Sequence, residues 1–451
     1  MSKTFRPYDP DQTFLMPASM REWLPSDHLA YFISDLVDHL DLSGIMSRYG
    51  EEKGYPPYHP AMMVKVLLYA YCIGVPSSRK IERRLEEDIA FRVLSANNTP
   101  DFRTISDFRK DHLQALAALF LQVLKLCSKA GLVKLGHVAV DGTKIKANAS
   151  KHKAMSYKRM KEEEARLEAE VQDLLKKAEA VDEEEDHTYG QKKRGDELPK
   201  ELAFREGRLK RIREAMAALE AEARKASGPS EGKGQKGTGV PDDKAQRNFT
   251  DPESRIMPSS GGKQFEQAYN AQAAVDSSHQ VIVAAEVTDH PADRGLATPM
   301  MQQVKANMGR LPSQMSADAG YFSSDEVKSL TADGMDVYIP PGKMHHAYQR
   351  PAAPRGRIPK GLSIIELMRR KLRTKQGRQR YGLRKELPEP VFGHIKQARG
   401  FRQFLLRGIA KVRGEWQMIC AGHNLLKLFA ARKSGLVGQS ASAGWAKLSL
   451  A

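Results

Sequence analysis

Three acidic residues stand where strand and helix ends could hold carboxylates around a metal ion. Asp141 ends the apolar run HVAVD (137–141) and is followed by Gly142. Asp318 repeats that arrangement in QMSAD (314–318), ahead of Ala319-Gly320-Tyr321. Glu389 lies between Pro388 and Pro390, at the start of an expected helix carrying Val391, Phe392 and Ile395. A strand holds a carboxylate rigidly, and a following Gly leaves room for a ligand or a turn. Each acid also has a plainer reading. Asp before Gly is a common turn pair, and an acid in a first helical turn is favoured by the helix dipole. Together the three suit Mg²⁺, which prefers oxygen ligands and keeps waters that a substrate phosphate can replace. Two ions about 4 Å apart would share a carboxylate and the scissile phosphate, one activating the attacking water or 3′-hydroxyl and the other stabilising the leaving oxygen. Like charges in one pocket repel, and bound cations relieve that repulsion. The expected chemistry is metal-dependent cleavage and joining of nucleic acid, with two Mg²⁺ ions and Mn²⁺ as a substitute.

The rest of the composition fits such a substrate. The formal charge is +17 over 451 residues, which suggests a polyanionic partner; charge alone also fits a ribosome-associated or membrane-surface protein. The 366–386 segment carries nine Lys or Arg and two Glu, and Arg369, Arg370 and Lys371 within it are expected to grip backbone phosphates. Tyr381 would stack on a base or simply pack. Arg384 and Lys396 lie on either side of Glu389, Lys396 two helical turns along the same face. Near the N-terminus, Arg79, Lys80, Arg83, Arg84, Arg103, Arg109 and Lys110 would contact DNA from a helix-turn-helix arrangement; an ordinary charged face of a helical bundle is the alternative.

Other groups fit less well. Glu415 is a rival third acid, but its helix carries the apolar stripe Val412, Trp416, Ile419, Leu425 and Leu428 and reads as a packing helix. Asp276 reads as a turn residue and His345-His346 as a loop pair that could meet phosphate; Asp293, bordering the hairpin, is only a minor candidate for the outer shell of the metal site. Cys72, Cys127 and Cys420 are too widely spaced for a zinc ribbon or a disulfide framework. Gly-x-Gly-x-x-Gly and Walker A motifs are absent, which argues against a nucleotide-powered machine. The N-terminus lacks an apolar signal region, and no run approaches the roughly 20 apolar residues of a membrane span. A reducing bacterial cytoplasm, with the protein on the nucleoid, is the expected setting.

Periodicity supplies the elements that must position these residues. Residues 1–130 read as a helical, DNA-binding domain. Its helices are expected over 29–40, from Pro60, over 77–94 with Ser78 as cap, and over 104–127 with Thr104 and Asp107 at capping-box spacing. After HVAVD come two arms rich in Ala, Glu, Lys, Arg and Leu, 158–186 and 200–227, expected as an antiparallel helical hairpin; a Gly/Ser/Pro/Lys/Asp-rich loop follows over 228–262. Strands are expected over 267–276 and 280–289 as a hairpin, then a helix over 294–307, the strand 314–318, a Ser323-capped helix over 324–332 and a strand over 335–340. A basic Pro/Gly loop covers 341–360, and helices run from Leu362 to about Ala430. The fold class is therefore α/β, a mixed sheet flanked by helices, preceded by an all-helical domain and interrupted by a helical insertion. The boundaries are 1–130, 131–152 with 259–430 for the catalytic domain, 153–258 for the insertion, and a loose tail over 431–451.

These motifs resemble those of the DDE transposases of bacterial insertion sequences, which share an RNase H-like core. VDGTKIKANAS is similar to their first-Asp motif, onto Asp141, and ADAGYFS to their second, onto Asp318. QAYNAQAAVDSSHQVIVAAEVTDHPAD looks like the hairpin that follows the first Asp. Their third motif is Tyr, two residues, Arg, three residues, Glu, six residues, Lys. Tyr381 and Arg384 keep its spacing, as do Glu389 and Lys396, but four residues rather than three separate Arg384 from Glu389. YHPAMMVKVLLYAYCIGVPSSRKIE and DFRTISDFRKDHL are similar to the helical domain preceding that core. The resemblance implies a homo-oligomer that binds terminal inverted repeats of double-stranded DNA, cuts with Mg²⁺ at Asp141, Asp318 and Glu389, and joins the 3′-hydroxyl to target DNA. A nuclease of the same fold without strand transfer, or a DNA-binding protein whose catalysis has decayed, are the competing expectations.

Overall fold

The computed structural model describes residues 19–50, 56–189, 200–226, 239–258, 264–342 and 352–436. The expected His345-His346 contact, residues 343–351 of the 341–360 loop, residues 228–238 and 259–262 of the 228–262 loop, and the tail beyond 436 lie outside them.

The N-terminal region is all helical: α1 (Leu29–Val37), α2 (Ser43–Met46), α3 (Pro60–Cys72), α4 (Ser78–Glu87), α5 (Ile89–Ser95), α6 (Phe102–Asp111) and α7 (Leu113–Lys129). Pro60 opens α3 as expected, where its missing N–H costs no helical bond. Two expected long helices are each divided. The 77–94 segment breaks at Asp88, whose carboxylate accepts from Ala90 N at 2.9 Å and starts α5 anew. The second divides at His112, and α6 is capped by Asp101, which accepts from Arg103 N and Thr104 N at 2.7 and 2.8 Å. The Thr104/Asp107 spacing therefore makes no capping box, and Ser78 lies inside α4 with its hydroxyl taken by Arg109.

The chain then enters β1 (His137–Lys146) and leaves it through β2 (Ala154–Ser156), α8 (Tyr157–Tyr189), α9 (Lys200–Ala226) and β3 (Gln246–Asn248). Helices α8 and α9 pair antiparallel, as the cross-links Tyr157–Glu220, Arg213–Glu164 and Arg205–Glu170 run in opposite order along them. Tyr157, Met160, Leu167, Leu209, Ile212, Ala215 and Leu219 form their own small core.

The sheet resumes with β4 (Arg255–Pro258), β5 (Phe265–Asp276), β6 (Ile282–Thr288), β7 (Gln314–Ser316) and β8 (Asp336–Tyr338). Between them lie α10 (Ala297–Met308) and α11 (Ser324–Ala332); after them come α12 (Ile364–Arg373), α13 (Lys375–Glu386), α14 (Pro388–Gly393) and α15 (Ile409–Lys433). The order across the sheet is β6-β5-β1-β7-β8, with β4 also on β5. Strand β1 is antiparallel to β5 and parallel to β7, and β7 is parallel to β8. A helical N-terminal region followed by a mixed sheet with flanking helices is the general RNase H-like architecture.

Both regions share one apolar core, running from Phe32, Leu67 and Leu124 through Trp416 and Ile419 of α15 to Val138 and Val283 of the sheet. Helix α15 is the wedge between them, packed on α3, α7 and β6. Arg399 adds a polar tie. It is buried and donates to Tyr71 O of α3 at 2.7 Å and to Ile419 O of α15 at 3.1 Å.

Candidate active site

The parallel register of β1 and β7 sets the two aspartates side by side. Ala139 lies opposite Ser316. Two residues further along each chain stand Asp141 and Asp318, and residues two apart share a face. Asp318 is still extended, with φ −78° and ψ 176°. Each carboxylate turns back on its own backbone: Asp141 Oδ1 accepts from Gly142 N at 2.9 Å, and Asp318 Oδ1 from Gly320 N at 2.8 Å. Burial pushes the Asp141 carboxyl up to about 7; the Gly142 N–H and the Arg384 guanidinium oppose the rise, while the charges of Asp318 and Asp293 add to it. An acid so destabilised as an anion is one that a cation would restore.

Asp293 is the residue that sequence reading undervalued. It lies in the loop between β6 and α10, yet reaches Gly142 of β1 and Gly320 beyond β7. Its Oδ1 accepts from Asn270 Nδ2 at 2.6 Å and Gln272 Nε2 at 2.9 Å, and stands 3.5 Å from Lys144 Nζ. Gln272 is fixed in turn, since its backbone carbonyl accepts from Trp416 Nε1 at 2.9 Å and its side-chain oxygen from Tyr321. This cradle explains Gly142. A Cβ there would meet Gln272 Nε2, with Asn270 Oδ1 at 2.8 Å and Asp293 Oδ1 at 2.9 Å. The space that sequence reading left for a ligand or a turn is filled by side chains. Burial lowers the pKa of Lys144, and Asp293 is the chief charge opposing that.

The third motif wraps the other side. Arg384 of α13 is mostly buried, with its guanidinium 4.0 Å from Asp141 Oδ2 and over the Tyr381 ring at 5.7 Å. Lys396 Nζ is half-buried and donates to Thr143 Oγ1 at 3.0 Å and Lys144 O at 3.1 Å. Both residues, expected on DNA, are turned toward β1. Glu389 is exposed in the first turn of α14, which packs on β1 and β5. It makes no hydrogen bond or ion pair among the described residues. Nor do those residues contain any group of three or more His, Cys, Asp or Glu able to hold a metal ion. The structure thus brings Asp141 and Asp318 together with Asp293, Arg384 and Lys144, and does not gather Glu389 into a metal-holding group with them. Glu389 and Lys396 do not share one α-helical face either, because residues His394–Ala398 form a π-helical turn that changes the phase between them.

The remaining basic residues divide by burial. Arg109 is a correction: it is buried and donates to Pro76 O and to Ser78 Oγ at 2.5 and 2.6 Å, locking α6 to the start of α4. Arg79 and Lys80 are exposed on α4, Arg79 over the Phe102 ring at 5.1 Å. Arg83 is exposed beside Glu87 at 2.7 Å. On α12, Arg369 faces solvent, whereas Arg370 donates to Gly356 O at 2.9 Å. Lys371 pairs with Asp336 and donates to Val337 O at 2.7 Å, tying α12 to the edge strand β8. Glu415 is buried and accepts from Leu405 N and Leu406 N at 2.9 Å, a packing role as its helix suggested. No described helix is long and apolar enough to cross a membrane.

Residues 18–111 match the family model described as Transposase domain (DUF772). Residues 360–429, which include Arg384, Glu389 and Lys396, match the model described as Transposase DDE domain. No curated protein and no solved structure matches the chain.

Proposed function

We propose that the chain is a transposase. In this reading it binds the terminal inverted repeats of its element and catalyses metal-dependent strand cleavage and strand transfer at Asp141, Asp318 and Glu389. The observation that carries the reading is the pair of aspartates two residues past the paired Ala139 and Ser316 of adjacent parallel strands, Asp141 within β1 and Asp318 just beyond β7, in a sheet of RNase H-like order, with the two transposase-type segments toward either end of the chain.

The donors suit a hard divalent ion: they are carboxylate oxygens, and one is pushed toward protonation by burial and neighbouring acids. Asp141 and Asp318 would hold Mg²⁺, and Glu389 on the neighbouring helix is the third carboxylate of this reading. When bound, the metal supplies charge neutralisation at the phosphodiester and a more acidic attacking water or 3′-hydroxyl. The protein's own part is positional. Arg384, held between Tyr381 and Asp141, keeps a fixed positive charge beside the scissile position. Lys396 pins β1 just past Asp141. The exposed cations of α4 and Arg369 of α12 would meet phosphates away from the chemistry. A nuclease of the same fold without strand transfer is the second reading.

The test is a Mg²⁺-dependent assay on DNA carrying the gene's flanking inverted repeats, scored for nicked and joined products. Nicks with joined products support the transposase; nicks alone favour the nuclease. Asp318→Asn is expected to abolish both products while the ends remain bound. Equal loss of binding and cleavage would remove the assigned role.

A further inference from the structure

A groove of about 530 Å³ opens beyond the far end of β1. Its walls include Lys146 at the end of that strand, the Lys151-His152-Lys153 turn at the base of the helical pair, Phe265 and Glu266 at the start of β5, and Arg407 ahead of α15. None of these belongs to the expected DNA contacts.

The groove is built rather than incidental. Asn148 Nδ2 donates to Leu405 O at 2.7 Å, Asn248 Nδ2 to Ser150 O at 2.8 Å, and Gln403 Nε2 to Ala147 O at 3.2 Å, so three stretches of chain form one floor. Arg407 is exposed, and its Nε donates to Asn148 O at 2.9 Å. Among the described residues, Lys151, Lys153 and Arg407 have no carboxylate partner, and Lys146 has only Glu266 at 4.0 Å. On the neighbouring helical pair, by contrast, Arg166, Arg205, Arg208 and Arg213 are matched to Glu163, Glu164, Glu168 and Glu170. The groove therefore holds three cations without a carboxylate partner, beside a Phe265 that is 59% exposed. An exposed aromatic among unpaired cations suits a ligand with both anions and flat rings.

We propose that this groove holds the DNA backbone leading away from the scissile position, with Lys151, Lys153 and Arg407 on phosphates and Phe265 against a sugar or base. The inference rests on the transposase reading for where the DNA begins. Lys146 stands five residues along the strand from Asp141, roughly 17 Å at about 3.3 Å per residue. That spans about five base pairs at 3.4 Å each. Ion contacts and the aromatic contact then differ in their response to salt.

The experiment titrates the full chain against a fluorescein-labelled 40-base-pair duplex from about 50 to 300 mM salt. Lys151→Gln/Lys153→Gln should flatten the slope of log K against log salt by about 1.8, and Arg407→Gln by about 0.9, following roughly 0.9 per phosphate contact. Phe265→Ala should weaken binding about tenfold with the slope unchanged. Lys328→Gln, on α11, should alter neither. Wild-type affinity and slope in the double variant, with an unchanged circular dichroism spectrum, would overturn the groove. Cleavage lost only in Asp318→Asn, with the groove variants binding as wild type, sinks the groove and spares the transposase. Groove variants that lose binding in a chain that never cuts do the opposite.

Discussion

At the scale of single residues, the site is a balance between a buried carboxylate and the charges around it. Asp141 sits near pKa 7 in the fold against an ordinary 3.8. Between those values the folded state binds the extra proton, so stability falls as pH rises from about 4 to about 7, and the loss persists above. Its size is on the order of a few kcal/mol, less whatever the partly exposed mouth screens. Asp141→Asn should therefore raise the metal-free thermal midpoint at pH 8 and leave it near wild type at pH 4, as read by differential scanning calorimetry. An equal shift at both values would show that Asp141 is not strained as an anion. Gly142→Ala should destabilise by about 2–4 kcal/mol in urea titrations, because the cradle of Asn270, Gln272 and Asp293 has no space for a methyl group; a change under 0.5 kcal/mol would mean the cradle yields. Asp141 and Asp318 were legible because an apolar run ending in Asp then a small residue is a pattern. Asp293, in HPADRG, has none. Only the approach of a loop to the middle of β1 and to Gly320 reveals it, and the amides that converge on it come from β5.

At the scale of elements, apolar runs and turn residues located every strand of the main sheet except β4, and the β5–β6 hairpin closes around Asp276 as expected, with Ser278 N donating to Oδ1 at 2.8 Å. Helix divisions were harder to see. Apolar periodicity runs through Asp88 and His112 without interruption, so nothing in the pattern marks the breaks that let α4, α5 and α6 fold on one another. The π-helical turn at His394–Ala398 is invisible for the same reason, since spacing arithmetic assumes 3.6 residues per turn. It ends against Arg399, which binds α3 and α15 at once. Arg399→Met should cost about 2–4 kcal/mol by leaving buried carbonyls unpaired. The same change should lower the protection of α14 amides in hydrogen exchange; protection equal to wild type would show that the tie does not brace the motif helix.

At the scale of the whole molecule, sequence predicted a helical region before a mixed sheet and both are present, but it gave no sign that they share a core. Periodicity tells that a face of α15 is buried, not that it is buried against α3, α7 and β6 together. The helical pair α8/α9 has its own core and its own ion pairs. Replacing 158–227 by a short linker should leave the sheet folded, with the per-residue loss of helical signal in circular dichroism confined to that segment; collapse of the remaining signal would show that the pair props up the sheet. The central claim is that Asp141 of β1 and Asp318 just past β7 hold a divalent ion. It is met most directly by isothermal titration of Mn²⁺ into the wild type, Asp318→Asn and Asp293→Asn, each with bound duplex. The account predicts that Asp318→Asn loses at least tenfold in ion affinity while still binding the duplex. Equal Mn²⁺ affinity in wild type and Asp318→Asn would contradict it.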